Sequence, residues 1–362
     1  MDRLVINLQG SLANPNMALE AAKRAELESL PSGPTGRIDA RAIRDAKASG
    51  VTATCITVGH VVGSRDPVEA THRDLASWRQ FLAKPCSPFS LVRTAADLAE
   101  FRVGRRLGLI LGFQNTEMLD GKAVMVAKFA ALGVRVMQLT YNGANAVGYG
   151  CLCPKDQGVT GFGREVIEAM NENGVLVDLS HAGSLTLRTA IQASTKPIAV
   201  SHTACRSLVD NPRNVNDNDL RLLARHGGVV GIFAMPFLRK FGQPTIDDFI
   251  RHIEHALDLV GDEHVAIGTD GTITQVDDPA TYLHYLDEAI RGRKALGVAA
   301  PGEDEAVVLF LPDMTGPTQF DKLADCLTRR GHAATTVDKL LGQNWLRLVT
   351  EAWAPIAGAN VA

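Results

Sequence analysis

The chain has 362 residues, 46% hydrophobic and 21% charged, which suits a large buried core and argues against disorder. A formal net charge of -3 offers no basic field, so nucleic acid and anionic membranes are not expected as partners. No apolar run reaches the roughly 18 to 20 residues of a membrane span, no signal peptide is recognised after Met1, and the six cysteines are scattered, so reduced thiols in a cytoplasmic protein are expected.

Short β-rich apolar runs alternate with amphipathic stretches from the start of the chain. Strands are expected over residues 4–8, 51–58, 107–113, 134–140, 175–180, 198–201, 229–233 and 265–269. Their side chains form continuous Val/Ile/Leu runs rather than alternating ones, which is the pattern of strands buried on both faces and therefore of parallel pairing. Helices are expected between and after them, over 38–48, 67–82, 95–102, 121–131, 161–171, 184–193, 216–225 and 245–260. Eight strand–helix units predict an α/β fold, a (β/α)8 TIM barrel. Helical patterns at 318–330 and 336–353 are expected to pack outside it, and residues 1–362 read as one domain with no repeat or linker.

In such a barrel the chemistry belongs at the C-terminal ends of the strands. Those ends present Gln9 and Ser11, His60 a little beyond the second strand, Gln114, Tyr141 with Asn142, His181, His202 and Asp270. His181 and His202 end consecutive strands in near-identical Ser-His contexts, which distinguishes them from isolated core histidines. Two neutral imidazoles with a carboxylate suit Zn²⁺ and leave an open position for water, although the same set could hold Fe(II). Asp270 is a candidate ligand or general base. His252 and His255, at i and i+3, read as a solvated helix face, and Cys151-x-Cys153 as ordinary loop thiols.

Asp178-Leu-Ser-His181, Ser201-His202, Pro212-Arg213-Asn214, Gly268-Thr-Asp270 and the terminal Gly342-Gln-Asn-Trp-Leu-Arg347 together resemble the membrane (renal) dipeptidase family of the amidohydrolase superfamily, over nearly the whole chain. The resemblance implies a zinc-dependent barrel hydrolase of dipeptides. It matches His181 and His202 to the histidines of the second metal site, Asp270 to the strand-eight aspartate, and Arg213 to the arginine that binds the substrate carboxylate. A guanidinium fork suits a carboxylate on geometry alone.

The departures are concentrated in the metal set. The family's opening strand ends in His-x-Asp, whereas this chain reads Asn7-Leu-Gln9-Gly-Ser11. The bridging glutamate is replaced in Gly112-Phe-Gln114, and the histidine after strand four aligns approximately with Tyr141. An amide cannot supply the bridging charge. At most one zinc is therefore expected, held by His181, His202 and either Gln114 or Asp270, and an empty site is the alternative. Asp270 and Tyr141 are the expected catalytic residues, with Arg213, Asn142 and Asn344 on the substrate. The expected activity is hydrolysis of a dipeptide or similar small amide bearing a free carboxylate. The alternatives are a relative that binds or converts another small carboxylate, and a catalytically inactive barrel. A homodimer is one open arrangement.

Overall fold

The computed structural model describes residues 3–17, 38–63, 65–85, 87–104, 106–303 and 307–354. Eight parallel strands form a nearly closed barrel: β1 (Ile6–Asn7), β2 (Ala53–Thr57), β4 (Leu107–Phe113), β5 (Val134–Gln138), β6 (Leu176–Asp178), β7 (Ala199–Thr203), β8 (Val229–Ile232) and β9 (Val265–Ile267). A short strand absent from the sequence reading, β3 (Phe89–Leu91), pairs with β4 outside this ring. Three residues are too few to show a period.

Surrounding the barrel are helices α1 (Ala40–Ala48), α2 (Pro67–Leu82), α3 (Ala95–Gly104), α4 (Met125–Ala131), α5 (Gly161–Glu172), α6 (Ser184–Ala193), α7 (Asp217–Arg225) and α8 (Ile246–Val260). Side chains at several starts accept the exposed backbone N–H groups that a helix N-terminus leaves over: Asp39, Asp66, Thr160 and Asn216, with a reciprocal Thr245/Asp248 box on α8. The helix expected over 121–131 begins only at Met125, because Gly121 takes a left-handed φ of 67° and ends the preceding turn. Pro279–Ala295 forms a helix, α9, that the sequence did not reveal; Leu286 and Ile290 are its buried residues, too few to mark an apolar face. The last expected helix is divided into α11 (Ala334–Asp338), a π-helical turn over Lys339–Gln343, and α12 (Asn344–Ala352), after α10 (Gln319–Arg329).

Strand side chains alternate between two cores. Outward residues such as Val175, Val177, Val200 and Val230 pack under the helices. Inward residues Ile6, Ala53, Ile110, Val136, Leu176, Ala199, Val229 and Ala266 form a second cluster with Trp345, Leu348 and Val349 of α12. Three alanines in that layer leave room for the indole of Trp345, which is fully buried and donates to Ile267 O at 2.7 Å. The C-terminal helix thus belongs to the barrel core as well as to its outside. Above this layer backbones come very close: a Cβ on Gly268 would lie 1.8 Å from Ser201 O, and one on Gly231 2.0 Å from the same oxygen.

The ring closes between β1 and β9 through the side chain of Asn7 and a short run of backbone bonds that ends with Ser11 N–H to Gly271 O at 2.9 Å. Asn7 Nδ2 donates to Thr269 Oγ1 at 2.8 Å while Asn7 Oδ1 accepts from Thr269 N–H at 2.9 Å; Asp270 N–H then reaches Gln9 O at 2.9 Å. Asn7 and Thr269 are buried, so a lost partner leaves a stranded donor, costing about 1–3 kcal/mol. Asn7→Ala is expected to lower stability by roughly 2–4 kcal/mol. Thr269→Val, which keeps the Thr269 N–H bond, should cost less than half as much. Chemical denaturation with an unchanged m-value checks the order, and equal losses would refute the seam.

Candidate functional site

Asp178, two residues after the inward Leu176, is buried inside the barrel at the end of β6. Its carboxylate accepts four donors: Ser180 N–H at 3.0 Å, Ser180 Oγ at 2.9 Å, Ser201 N–H at 2.9 Å and Ser201 Oγ at 2.5 Å. Burial pushes its pKa up, and these bonds oppose the rise. Ser180 Oγ in turn accepts from His202 N–H at 2.9 Å. One carboxylate therefore ties together the two strand ends that carry the histidines.

The tautomers of both histidines follow from their neighbours. Ser201 gives its hydroxyl proton to Asp178, so at 2.8 Å it can only accept from His202 Nδ1–H. Asn142 donates through Nδ2 to Val298 O at 2.7 Å, so its Oδ1 accepts from His181 Nδ1–H at 2.6 Å. Each imidazole is left with an unprotonated Nε2, and the two Nε2 atoms face each other at 2.9 Å. Both rings are held well below their ordinary pKa by burial first and by the Arg213 charge second, so neither takes a proton to relieve the opposition. A guanidinium nitrogen of Arg213 donates to His181 Nε2 at 2.9 Å.

Arg213 is only 4% exposed, its guanidinium 5.7 Å from the Phe233 ring centre and 5.9 Å from that of Phe237, and it makes no salt bridge among the described residues. Tyr141 stacks on His181 at 4.3 Å, and its hydroxyl accepts from Arg293 at 3.0 Å. Arg293 is bidentate to Glu303, at 2.5 and 2.8 Å. Burial raises the Tyr141 pKa against the pull of Arg293.

Asp270 ends β9 with a left-handed φ of 55°, and His181 has one of 66°; for residues with a Cβ such backbones are strained, which is characteristic of functional positions. Each is held by a main-chain bond, Asp270 N–H to Gln9 O and Cys151 N–H to His181 O at 2.7 Å. Burial lifts the Asp270 pKa to about 6, opposed by Arg213 and by a bond from Gln9 Nε2 at 3.4 Å. Its carboxyl faces a cavity of about 190 Å³ shared with Gln9, Ser11, Thr57, Trp78 and Gln114.

The expected residues are therefore split. His181, His202, Arg213 and Tyr141 converge, and Asp270 and Gln114 share the adjoining cavity. Among the described residues no three His, Cys, Asp or Glu side chains are grouped for a metal, so the set of His181, His202, Gln114 and Asp270 is not assembled as one ligand shell. Two further expectations are corrected. Asn142 spends both ends of its amide on His181 and Val298 and is not free for substrate. Asn344 lies at the opposite end of the barrel, donating to Asp262 O and Val265 O at the start of β9. His252, read as solvated, is buried: it accepts from Cys205 N–H and donates to Leu238 O, and burial lowers its pKa to about 4. Its helical spacing carried no sign of the Cys205 turn that folds against it. Among residues not anticipated, Asp178 stood in a quoted motif without a role, and Arg293 lies on the unforeseen α9. Cys151 Sγ approaches Asn142 Oδ1 at 3.4 Å beside His181 and Arg213.

The donor chemistry fits one cation and not two. His202 Nε2 meets no donor among the described residues and His181 Nε2 is met by the Arg213 guanidinium, so a cation held by both nitrogens would displace that bond. Zn²⁺ bound at about 2.0–2.1 Å from each would require them only a few tenths of an ångström further apart. A second metal would have only Gln9, Ser11, Gln114 and the shared Asp270, of which three are neutral.

The profile of the membrane dipeptidase family (peptidase family M19) matches residues 6–294. An uncharacterized protein from the pqqA 5' region of Klebsiella pneumoniae is 27% identical over 299 residues, covering 80% of this chain and 98% of that protein. An uncharacterized dipeptidase of Schizosaccharomyces pombe is 33% identical over 53% of this chain, which spans only 48% of that relative. The crystal structure of an amidohydrolase from Pseudomonas aeruginosa superposes with a TM-score of 0.79 at 29% identity, over 97% of each chain.

The raised Asp270 pKa carries a sign. A rise from 3.8 to about 6, at about 1.4 kcal/mol per tenfold change in acidity, makes the ionised carboxyl about 3 kcal/mol worse in the folded chain than in the unfolded one. The contribution favours folding below about pH 4 and is lost as pH rises through 6. Asp270→Asn is therefore expected to raise the thermal midpoint at pH 8 and to change it little at pH 4. Destabilisation at pH 8 would show that Asp270 is held by an unseen partner.

Proposed function

The chain belongs to the membrane dipeptidase family, and on that premise we propose that it hydrolyses a dipeptide or similar small amide with a free carboxylate, using at most one metal ion. The observation that carries this reading is Arg213, a buried guanidinium with no carboxylate partner among the described residues. Burying a lone cation costs several kcal/mol. Stacking on Phe233 and Phe237 offsets part of that cost, and a ligand carboxylate in the guanidinium fork would offset the rest.

The remaining groups suit amide hydrolysis. Tyr141 accepts from Arg293 and so keeps its own proton to give to a developing oxyanion. Asp270, with a pKa of about 6, can take and return a proton near neutrality. A zinc ion between His181 and His202 would polarise the scissile carbonyl and acidify a water when bound. The dipeptidases among the relatives support the reaction class. The missing third metal donor favours a second reading, a protein that binds the same carboxylates without cleaving them.

Two measurements test this. Arg213→Lys is expected to weaken binding of N-acyl amino acids and dipeptides by about tenfold to a hundredfold, roughly 1–3 kcal/mol, because an ammonium cannot reproduce the fork; unchanged affinity in titrations would overturn the clamp. Elemental analysis is expected to find no more than one zinc per chain, lost in His181→Ala and in His202→Ala and kept in Gln9→Ala. Two ions per chain would contradict the donor argument. A metal-free native protein that still binds dipeptides would select the second reading.

A further inference from the structure

The cavity beside Asp270 is separate from the small pocket that holds His181, Cys151 and Arg213. At about 190 Å³ it far exceeds the roughly 10–15 Å³ that one water needs. Its polar groups are only partly used by the protein. Gln9 Nε2 gives its protons to Thr57 Oγ1 at 2.9 Å and to Asp270 Oδ1 at 3.4 Å, which fixes the amide and leaves Gln9 Oε1 as an acceptor with no donor among the described residues. The Gln114 side-chain amide has no hydrogen-bond partner among the described residues; only its main-chain carbonyl is engaged, by Gln138. Ser11 Oγ accepts from Ala13 N–H at 3.2 Å and donates to no group among the described residues.

We propose that this cavity is a substrate subsite for an uncharged carboxamide, such as the side chain of asparagine or glutamine. One spare acceptor, one spare hydroxyl donor and one free amide match a group that both donates and accepts. An anion would meet the Asp270 carboxyl. A cation would enter the field of Arg213 and Arg293, both of which act on Asp270, and would compete with the Gln9 N–H already bound there. An apolar group would suit the Trp78 and Ile56 walls but would strand the polar atoms without partners, a discrimination stronger than that of an apolar pocket against a polar isostere. The inference rests on the reading of Arg213 as carboxylate clamp: with the carboxylate there, the cavity receives the side chain of the residue before it.

Asn-Gly, Asp-Gly and Leu-Gly are near-isosteric probes that share the terminal carboxylate. Titrated calorimetrically on the native chain, or compared by kcat/KM where they are cleaved, Asn-Gly is expected to be favoured at least tenfold over both others. Gln114→Met should remove most of that preference, whereas Arg213→Lys should weaken all three alike and leave their ratio intact. Binding of all three with equal affinity would overturn the subsite while the clamp stands. Preference for Leu-Gly or Asp-Gly would do the same. If none of the three binds, the clamp and the subsite fall together. The native-protein series decides the matter even if Gln114→Met does not fold.

Discussion

The arrangement of the barrel mouth depends on one buried carboxylate. Among the described residues Asp178 has no counter-ion in contact, yet four donors from Ser180 and Ser201 surround it. Charge-assisted bonds to two hydroxyls and two backbone amides are what make an isolated anion tolerable in a barrel interior. Because those donors come from two strand ends, satisfying the carboxylate also sets the positions of His181 and His202. The Ser201 hydroxyl does both jobs, since giving its proton to Asp178 leaves it able only to accept from His202. A residue that touches neither metal nor substrate thus determines which nitrogen of the neighbouring imidazole is available.

A second constraint is charge balance above that layer. Arg293 is neutralised by Glu303, whereas Arg213 meets aromatic faces and a neutral imidazole instead of a carboxylate. Its uncompensated field contributes to the low pKa of both histidines and restrains the rise at Asp270. The site combines a guanidinium with no carboxylate partner among the described residues, two unprotonated imidazole Nε2 atoms, one of them bonded to that guanidinium, and a carboxyl near its titration point. The left-handed backbones at His181 and Asp270 fit the same picture, in which stability is given up locally and recovered in the well-packed layers below.

Among the relatives, the coverage separates two statements. The Pseudomonas amidohydrolase matches over 97% of each chain, and the Klebsiella protein over 98% of its own length and 80% of this chain. The S. pombe dipeptidase is matched over about half its length, so what it does comes to this chain only as a proposal. Among the described residues no helix is long and apolar enough to cross a membrane.

The sequence alone determined the eight buried strands, most of their helices and the residues at the strand ends, because both-face burial leaves uninterrupted apolar runs and because strand ends in a parallel barrel share one mouth. His181 and His202 were legible for that reason, and Arg213 through the Pro212-Arg213-Asn214 motif of the resemblance. What only the tertiary structure decided is which polar atoms are already spent. Asn142 is adjacent to Tyr141 in sequence, but its amide is consumed by Val298 and His181, which come from distant segments. Asn344 sits in a recognisable motif, but the motif packs under the barrel. Gln114 and Asp270 occupy corresponding strand ends with the histidines, yet open onto a different cavity. Periodicity reports the face a residue occupies; a hydrogen bond has a direction and a limited number of partners, and those partners come together only when the barrel closes.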